Sequence, residues 1–407
     1  MKRTPSIYLL ALTTVLLASC CLTGCTSGPD LMFADWLIPV PEGTPVKEYG
    51  PVPVDERDPG AIELVDDLVI GTDLSNPAAV LFEPRAVVAA PDGTIFVADG
   101  GTSDIKMFDA DGAYMKTLGQ EGQGPGEFAF ITAMTLAGDM LVVNDSRNRR
   151  FSVWTLDGKH VADYAPTERR SLVFMQGLAD GTVTGYFTER DEDRNGTRVV
   201  ARQNVQGEVV SHILEIPLPP PEAISSRDPH AILQSALDSF DDPRINLAAG
   251  SGEVIYVTPV HEYQLYAYSP QGEMLWALRT AWERFDWPAS AKDSMMSSFA
   301  RSFETEEELR AEDFTWPEKY TALAGVNTDG HGRLFAIIAP MPNADSDGTR
   351  PPSEYPVDAY SADGERLAAG VVPYVWSFAV GDYVYGIRPD DNEEMVVVRY
   401  RLLVNGQ

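Results

Sequence analysis

Two arginines occupy matched positions in two similar segments of the chain. Arg85 follows Pro84 and Arg244 follows Pro243, and the segments that these pairs open, PRAVVAAPDG and PRINLAAGSG, space their apolar and turn residues alike. If both segments are inner strands of one ring, both guanidinium groups face one mouth of a central channel and can hold an anion or a carboxylate. The alternative is a salt bridge between neighbouring structural units, because Asp and Glu are abundant nearby.

Four further side chains are candidate ligand contacts. Tyr320 and Trp376 stand near the starts of two later repeat units, where they can form an apolar or sugar-stacking floor. Large aromatic side chains near an inner strand are also typical of a core, and both interpretations stay open. His261 and Glu262 fall in a short polar connection that we expect to project from one face of the ring. With Arg85 and Arg244, these residues form the predicted ligand-binding set.

A catalytic centre has little support in the sequence. No Gly-x-Ser-x-Gly nucleophile motif is present, so we assign no catalytic residue. Zinc needs several ligands that converge, and no two of the histidines share an inner-strand position; they are His160, His212, His230, His261 and His331. We predict no cofactor and no metal, although calcium bound by backbone carbonyls and an Asp stays open, because such ligands leave little trace in a sequence.

The N-terminus has the features of a bacterial export signal. Lys2 and Arg3 precede an apolar stretch at residues 7–17 that is too short to span a bilayer comfortably. The segment LTGC, ending at Cys25, resembles the lipobox of bacterial lipoproteins, whose cysteine is lipidated and becomes the mature N-terminus. A second such motif ends at Cys20. We expect a signal peptide at residues 1–24 and lipidation of Cys25, because a Pro-rich, polar segment begins directly after it.

Composition limits the classes of partner. The chain has 61 acidic and 31 basic residues, a formal charge of −30, so its surface repels phosphate backbones and nucleic acid is not an expected partner. All three cysteines lie at positions 20, 21 and 25, so the rest of the chain has no disulfide and no cysteine nucleophile.

A repeat defines the elements that position the candidate residues. Residues 97–112, 143–158 and 257–272 each contain a short apolar run, a polar connection, an alternating aromatic strand and a turn closing on Gly. This is the pattern of the two middle strands of a propeller blade. It predicts an all-β, six-bladed β-propeller; the blades are expected at about residues 84–119, 128–163, 171–217, 243–280, 320–372 and 374–403.

Closure of the ring is also predicted. The sixth blade lacks an outer strand, and residues 61–70 (AIELVDDLVI) lie before the first blade without a blade of their own. We expect this segment to pair with the last blade and remove its open edge, so that residues 61–407 form one domain. Charged residues at 189–194 are expected to lengthen a connection in the third blade, and residues 343–353 are an insertion in the fifth.

Three segments do not fit the repeat. Residues 25–60 are Pro-rich and form either a stiff tether or a segment that lies along the domain through Trp36, Leu37 and Tyr49. Helical insertions are predicted at about residues 221–242 and 286–314. In the second, Met295, Phe299 and Phe303 recur at helical spacing, a stripe that we expect to pack against its own domain rather than to form a groove for a partner.

Residues 82–161 resemble the NHL-type six-bladed propeller, in particular bacterial envelope lipoproteins of that fold. The shared features are a Gly-Pro-Gly-Glu-Phe joint at residues 124–128, followed by Asp145, Asn148 and Arg150 in the places of the family pattern. The first blade keeps Asp99 but has Ser103 where Asn is usual, and the fourth has Pro259 in the Asp position. In such repeats the Asp and Arg are expected to pin the hairpin and the neighbouring blades.

The resemblance implies several possible functions, because propellers of this type include protein-binding scaffolds, glycan-associated envelope proteins, lactonases and lyases. We expect a monomeric, lipid-anchored, non-catalytic scaffold that faces the periplasm or the cell surface and binds an envelope protein, a peptide or a glycan. The alternative is a lactonase-like hydrolase or lyase with a divalent metal on the central axis. A third is a structural subunit of an envelope complex.

Overall fold

The fold is a ring of six four-stranded antiparallel sheets. The computed structural model describes residues 35–71, 75–165, 172–192, 195–218, 229–238, 244–250, 253–287, 289, 292–293, 295–297, 299, 310, 314–317, 319–339 and 354–407. The predicted signal peptide, Cys20, Cys25, Phe303 and the insertion at residues 343–353 lie outside these residues.

The first three blades follow the predicted positions. Blade 1 comprises Pro84–Ala89, Ile95–Asp99, Asp104–Phe108 and Tyr114–Leu118. Blade 2 comprises Ile131–Ala137, Met140–Asp145, Arg150–Thr155 and His160–Tyr164. Blade 3 comprises Val173–Gly177, Val183–Arg190, Gly196–Gln203 and Val209–Leu218.

The remaining blades complete the ring. Blade 4 comprises Ile245–Ala249, Ile255–Pro259, Gln264–Tyr268 and Met274–Thr280. Blade 5 comprises Leu323–Thr328, Leu334–Ile338, Tyr355–Tyr360 and Arg366–Val372. Blade 6 comprises Phe378–Val380, Tyr383–Pro389, Met395–Val404 and, as its outer strand, Ile62–Ile70. The predicted six-bladed β-propeller is therefore confirmed.

The core lies between the blades. Every position of Ile95–Asp99, Ile255–Pro259 and Leu334–Ile338, second strands of three blades, is buried. These strands are apolar on both faces because each face packs against a neighbouring sheet. Among the described residues, six apolar clusters each join one pair of adjacent blades, including the pair formed by blades 6 and 1. Such burial on both faces explains why the middle strands carry the clearest repeat in the sequence.

Closure occurs where the sequence predicts it. Ile62–Ile70 pairs antiparallel with Met395–Val404, from Ile62 opposite Val404 to Ile70 opposite Val397. A bulge between Asp66 and Leu68 interrupts the register. The outer strand of the last blade thus comes from the start of the propeller segment, and the ring has no unpaired junction at this point.

The segment before this strand lies along the propeller. Val46–Tyr49 adds a fifth strand, parallel to the outer strand of blade 4. Ile38 is buried in the cluster between blades 3 and 4, and its backbone N–H donates to the hydroxyl of Tyr266 (3.2 Å). Of the two arrangements considered for residues 25–60, the described part, from residue 35 onward, adopts the second.

Arg57 fixes this segment to the ring. Its side chain and that of Asp358 in blade 5 are almost fully buried, and Arg57 Nη1 donates to Asp358 Oδ1 at 2.7 Å. Arg57 Nη1 also donates to the carbonyl of Val357 (3.0 Å), and the Tyr263 hydroxyl of blade 4 donates to Asp358 Oδ2 (2.5 Å). Burial and this carboxylate raise the pKa of Tyr263 well above its usual value. One buried carboxylate therefore joins the N-terminal segment, blade 4 and blade 5.

The insertions pack against each other. A helix, α1 (Pro229–Asp238), lies in the first insertion, and residues 292–293 and 295–297 of the second also have helical backbone. One apolar cluster contains Leu233 and Leu237 of α1 together with Met295, Met296 and Phe299. The described residues of the predicted stripe thus pack within their own domain. Among the described residues, no helix has both the length and the apolar character that a membrane span requires.

The stretch between the two turns of blade 3 is lengthened, as expected, and much of the added length lies in strands. The strands Val183–Arg190 and Gly196–Gln203 are each eight residues long. Their register continues to Arg190 opposite Gly196. Glu189 and Arg190 therefore belong to the paired hairpin, where backbone pairing satisfies their peptide groups.

Closure predicts a contrast between two positions of the same strand. Ile62 is 1% exposed in the cluster between blades 5 and 6, whereas Val65 is 44% exposed. We expect Ile62→Ala to lower the free energy of unfolding by about 2–5 kcal/mol, because it leaves a cavity at the junction. Val65→Ala should change the free energy by no more than about 0.5 kcal/mol. Urea denaturation measures both, and equal effects would contradict a structural role for this junction.

Candidate functional site at the connection face

The strand order assigns each loop to one of two faces. Because each blade is an antiparallel meander, the connections between blades and the turns between second and third strands lie together on one face, named here the connection face. The other turns form the hairpin face. The inner strands start at the connection face and line the central channel.

A buried aspartate organises the connection face in each of the first two blades. Asp145, at the end of the second strand of blade 2, accepts hydrogen bonds from the backbone N–H of Phe130 (3.0 Å) and of Ala129 (3.2 Å). Asp99 does the same in blade 1 for Phe82 and Glu83, both at 2.9 Å. These carboxylates therefore fix the chain just before each inner strand, a structural role that agrees with the predicted pinning.

Arg150 and Asn148 hold the glycine-rich joint between blades 1 and 2. Arg150 Nη2 donates to the carbonyl oxygens of Gly124 (2.8 Å) and Glu127 (2.6 Å). Asn148 Nδ2 donates to the carbonyl of Gly122 (3.0 Å). The backbone carbonyls of the joint thus accept hydrogen bonds from blade 2, which explains the spacing of these residues without a bound ligand.

A cavity of about 560 Å³ opens at the connection-face end of the channel. Blades 1, 2, 3 and 6 contribute to its walls. Its apolar lining includes Val87, Met134, Leu172 and Met175, and its polar lining includes Arg85, Thr132, Asn144, Ser146, Gln176 and Ser377. The volume and mixed lining are typical of a small-ligand or side-chain pocket.

Arg85 is held in a defined position at this cavity. Its guanidinium carbon lies 4.2 Å from the centre of the Phe130 ring. On another side it rests against Gly100, where an added Cβ would come within 2.2 Å of Arg85 Nε. Arg85 Nη2 also donates to Glu83 Oε1 at 2.8 Å, a pair whose Glu83 side chain is 59% exposed. Arg85 thus lies in the lining of the cavity, and its ion pair is with Glu83 of its own blade rather than between neighbouring blades.

Arg244 occupies the equivalent place in blade 4. It directly precedes the inner strand Ile245–Ala249, and its carbonyl accepts a hydrogen bond from the Val260 N–H (3.0 Å). It is not among the residues lining the connection-face cavity. The structure therefore brings Arg85, but not Arg244, to this cavity, and the ligand role of Arg244 stays a prediction.

Tyr320 and Trp376 do not lie together. Trp376 is 2% exposed, packs edge-to-face on Phe335 with ring centres 5.0 Å apart, and donates its indole N–H to the Thr328 carbonyl (3.1 Å). Tyr320 is half-buried against Trp287, with ring centres 4.9 Å apart, and this burial raises its pKa. Neither residue lines the connection-face cavity, so their sugar-stacking role stays a prediction.

His261 and Glu262 lie on the connection face as expected, between the second and third strands of blade 4. Burial raises the pKa of Glu262, and the nearby Arg284 guanidinium, 3.5 Å from its carboxylate, opposes this effect. Glu262 thus pairs with a residue of the segment that follows blade 4, and neither His261 nor Glu262 lines the connection-face cavity.

A second cavity, of about 360 Å³, occupies the hairpin-face end of the channel. Its walls include Trp376 and the turns between the first and second strands of several blades. It shares Gln176 and Ser377 with the connection-face cavity. Gln176 and Ser377 therefore mark the middle of the channel. Among the described residues, no group of three or more His, Cys, Asp or Glu has an arrangement that could hold a metal ion.

Sequence reasoning missed the residues that position Arg85. Phe130, 37% exposed, lies under the Arg85 guanidinium, and Arg147 also stacks on its ring at 5.5 Å. The sequence feature that could have indicated this contact is the Gly100-Gly101 pair after Asp99. These glycines have no side chain at the place where Arg85 and Phe82 come close to the backbone.

Comparison with known proteins agrees with this architecture. Residues 79–201 match the model of DUF5128, a six-bladed β-propeller family. Among curated proteins, none matches this chain. The matched region covers blades 1 and 2 and most of the first three strands of blade 3, which are the blades that line most of the connection-face cavity.

Several solved structures are similar to this chain at low identity. A DUF4221 family member from Bacteroides vulgatus is 13% identical with a TM-score of 0.50, over 85% of this chain and 100% of that chain. A protein of Bacteroides fragilis described as exported is 12% identical, with a TM-score of 0.47, over 88% and 99%. Virginiamycin B lyase from Staphylococcus aureus is 10% identical, with a TM-score of 0.40, over 83% and 99%.

Two neighbouring arginines provide a test of the joint. Arg150→Ala removes the donors to the carbonyls of Gly124 and Glu127, and we expect it to lower the free energy of unfolding by about 1–3 kcal/mol. It should also speed proteolysis within residues 120–127. Arg147→Ala is the matched control, because this exposed side chain stacks on Phe130 and forms no ion pair with any described residue. Equal stability and equal cleavage of the two variants would show that Arg150 does not hold the joint.

Proposed function

We propose that this protein is a lipid-anchored, non-catalytic propeller of the bacterial envelope whose connection face binds a protein, a peptide or a glycan. The observation that carries the proposal is the fixed position of Arg85 at the edge of the connection-face cavity, between Gly100 and Phe130. A preorganised guanidinium group beside a cavity is suited to recognition of a carboxylate or another anion.

The lining of the cavity supports binding rather than catalysis. General acid–base catalysis needs a side chain that gains or loses a proton near the reacting group. Among the described residues that line the cavity, none is Asp, Glu, His, Cys or Lys. Two of the polar side chains already bond to backbone: Asn144 Nδ2 donates to the Leu172 carbonyl (3.1 Å), and Thr132 donates to the Asn144 carbonyl (3.3 Å).

The N-terminal sequence supports the proposed location. The basic start, the apolar stretch at residues 7–17 and the LTGC motif at Cys25 are those of an exported lipoprotein. A cysteine with more than one acyl chain binds a membrane stably, because each buried methylene adds about 0.8 kcal/mol of membrane affinity. The propeller would then face the periplasm or the cell surface.

Lipidation at Cys25 has a direct test. We expect Cys25→Ser to abolish incorporation of an alkyne-labelled fatty acid in a bacterial host and to leave the signal peptide attached, whereas Cys20→Ser should keep both processing and label. The mass of the purified full-length product identifies the cleavage site. Label lost from Cys20→Ser but retained in Cys25→Ser would place the anchor at the other motif.

Partner capture tests the proposed binding face. We expect the double variant Arg85→Gln/Arg244→Gln to recover less of its partner from cross-linked native envelope than the wild-type protein recovers, with an unchanged melting temperature. Arg279→Gln is the matched control, because Arg279 also pairs with an exposed glutamate, Glu48, and stacks on an aromatic ring, Trp36. If the double variant recovers as much partner as the wild-type protein, neither arginine belongs to the binding site.

A further inference from the structure

The connection face carries two exposed arginines that have no acidic partner among the described residues. The whole chain has a formal charge of −30. Arg147 and Arg149, in the loop after Asp145, are nevertheless exposed, and within the described residues their side chains form no ion pair. The nearby Asp99 and Asp145 are buried and accept hydrogen bonds from backbone N–H groups. These acids are therefore not available to the exposed arginines.

Phe130 brings two guanidinium groups to the rim of the cavity. Arg85 lies 4.2 Å and Arg147 5.5 Å from the centre of the same ring. Stacking on an aromatic ring restricts each side chain while leaving its N–H donors free to point away from the ring. Ser146, which precedes Arg147, lines the cavity together with Arg85. Arg85 therefore lies in the lining of the cavity, and Arg147 lies beside it, next to Ser146.

The acid that pairs with Arg85 among the described residues can be replaced by a carboxylate from a partner. Glu83 accepts from Arg85 Nη2 at 2.8 Å, but its side chain is 59% exposed. Exposed ion pairs add little stability because water competes for both partners. A carboxylate from a partner, held by two guanidinium groups, can replace Glu83 at small cost.

Behind the arginines, the walls of the cavity favour an apolar group. Val87, Met134, Leu172 and Met175 supply apolar surface. The amide of Asn144 and the hydroxyl of Thr132 already donate to backbone carbonyls. A sugar ring placed here would depend on the remaining polar side chains, Ser146, Gln176 and Ser377, for its hydrogen bonds, whereas an aliphatic or aromatic side chain needs none. Methionine walls also adapt to side chains of different shape.

The geometry points to a site for the C-terminal end of a partner polypeptide, with its terminal carboxylate on Arg85 and Arg147 and its last, apolar side chain in the connection-face cavity. A C-terminal residue is the group that carries a carboxylate and an apolar side chain on one carbon atom. Capture of a chain end is a known mode of peptide recognition. This inference rests on the proposed function and names its partner class.

Binding of defined peptides tests the inference. The full-length protein in detergent is titrated into a fluorescein-labelled peptide, Gly-Ser-Gly-Ser-Ala-Ala-Leu, with a free C-terminal carboxylate, and anisotropy is measured. We expect binding that is at least about tenfold weaker for the same peptide with an amidated C-terminus, because the charged group is lost. A peptide ending in Asp should also bind more weakly, because the cavity would have to desolvate its second carboxylate.

Protein variants locate the site. Arg85→Gln and Arg147→Gln should each weaken binding of the carboxylate peptide by at least about tenfold and remove the difference between carboxylate and amide. Gly100→Ala should weaken binding as well, because its Cβ would displace the Arg85 guanidinium. Arg279→Gln, with a side chain 21% exposed and stacked 4.9 Å from the Trp36 ring, should bind like the wild type. Melting temperatures identify any variant that loses binding by unfolding.

Four results would overturn the inference. Equal affinity for the carboxylate and amide peptides would show that the site does not recognise the terminal charge. No peptide binding, together with Arg85-dependent binding of an oligogalacturonate, would assign the site to an anionic glycan. Binding of neither probe would remove the site. Cross-linked capture of an envelope partner that does not depend on Arg85 would leave the proposed scaffold function intact while still contradicting the chain-end site.

Discussion

The pairing of Ile62–Ile70 with Met395–Val404 is the constraint on which the rest of the structure depends. Each of the six sheets packs face to face against two neighbours, and an apolar cluster fills each junction. One open junction would therefore expose the apolar faces of two blades at once. Closure between the two ends of the propeller segment removes that exposure. The buried Arg57–Asp358 ion pair adds a second connection, because it holds the segment preceding the closing strand between blades 4 and 5. Loss of either Arg57 or Asp358 alone would leave a buried charge without its partner.

A closed ring also explains how a rigid site arises from loops. The inner strands end in fixed positions, and Asp99 and Asp145 tie the preceding residues to the second strand of the same blade. The backbone N–H of Phe130 donates to Asp145, and this hydrogen bond holds Phe130 beside Arg85 although its ring is partly exposed. Gly100 leaves the space that the guanidinium occupies. The position of one charged group therefore depends on two blades, and it is preorganised before any ligand arrives.

The sequence predicted the features that depend on local spacing. The hairpin repeat, the closing strand and the roles of Asp145, Asn148 and Arg150 follow from residues within one or two blades, and the fold confirms them. The role of Arg57 could not be predicted, because its partner Asp358 lies 301 residues away and Arg57 lies outside the repeat. The Phe130–Arg85–Gly100 stack was missed for the same reason, since it joins two blades through side chains that occupy unmatched positions. Matched spacing did not bring Arg244 to the cavity that Arg85 lines, and its ligand role stays a prediction.

The central claim is that this propeller meets its partner at the connection face. Photo-cross-linking in the native envelope tests it most directly, with benzoylphenylalanine in place of Phe82 on the connection face or of Val210 on the outer strand of blade 3. Phe82 and Val210 are 65% and 52% exposed, so the probe is accessible at both. The account predicts a discrete cross-linked partner from position 82 that disappears when Arg85 is replaced by Gln, and none from position 210. A partner captured from position 210 alone would contradict it.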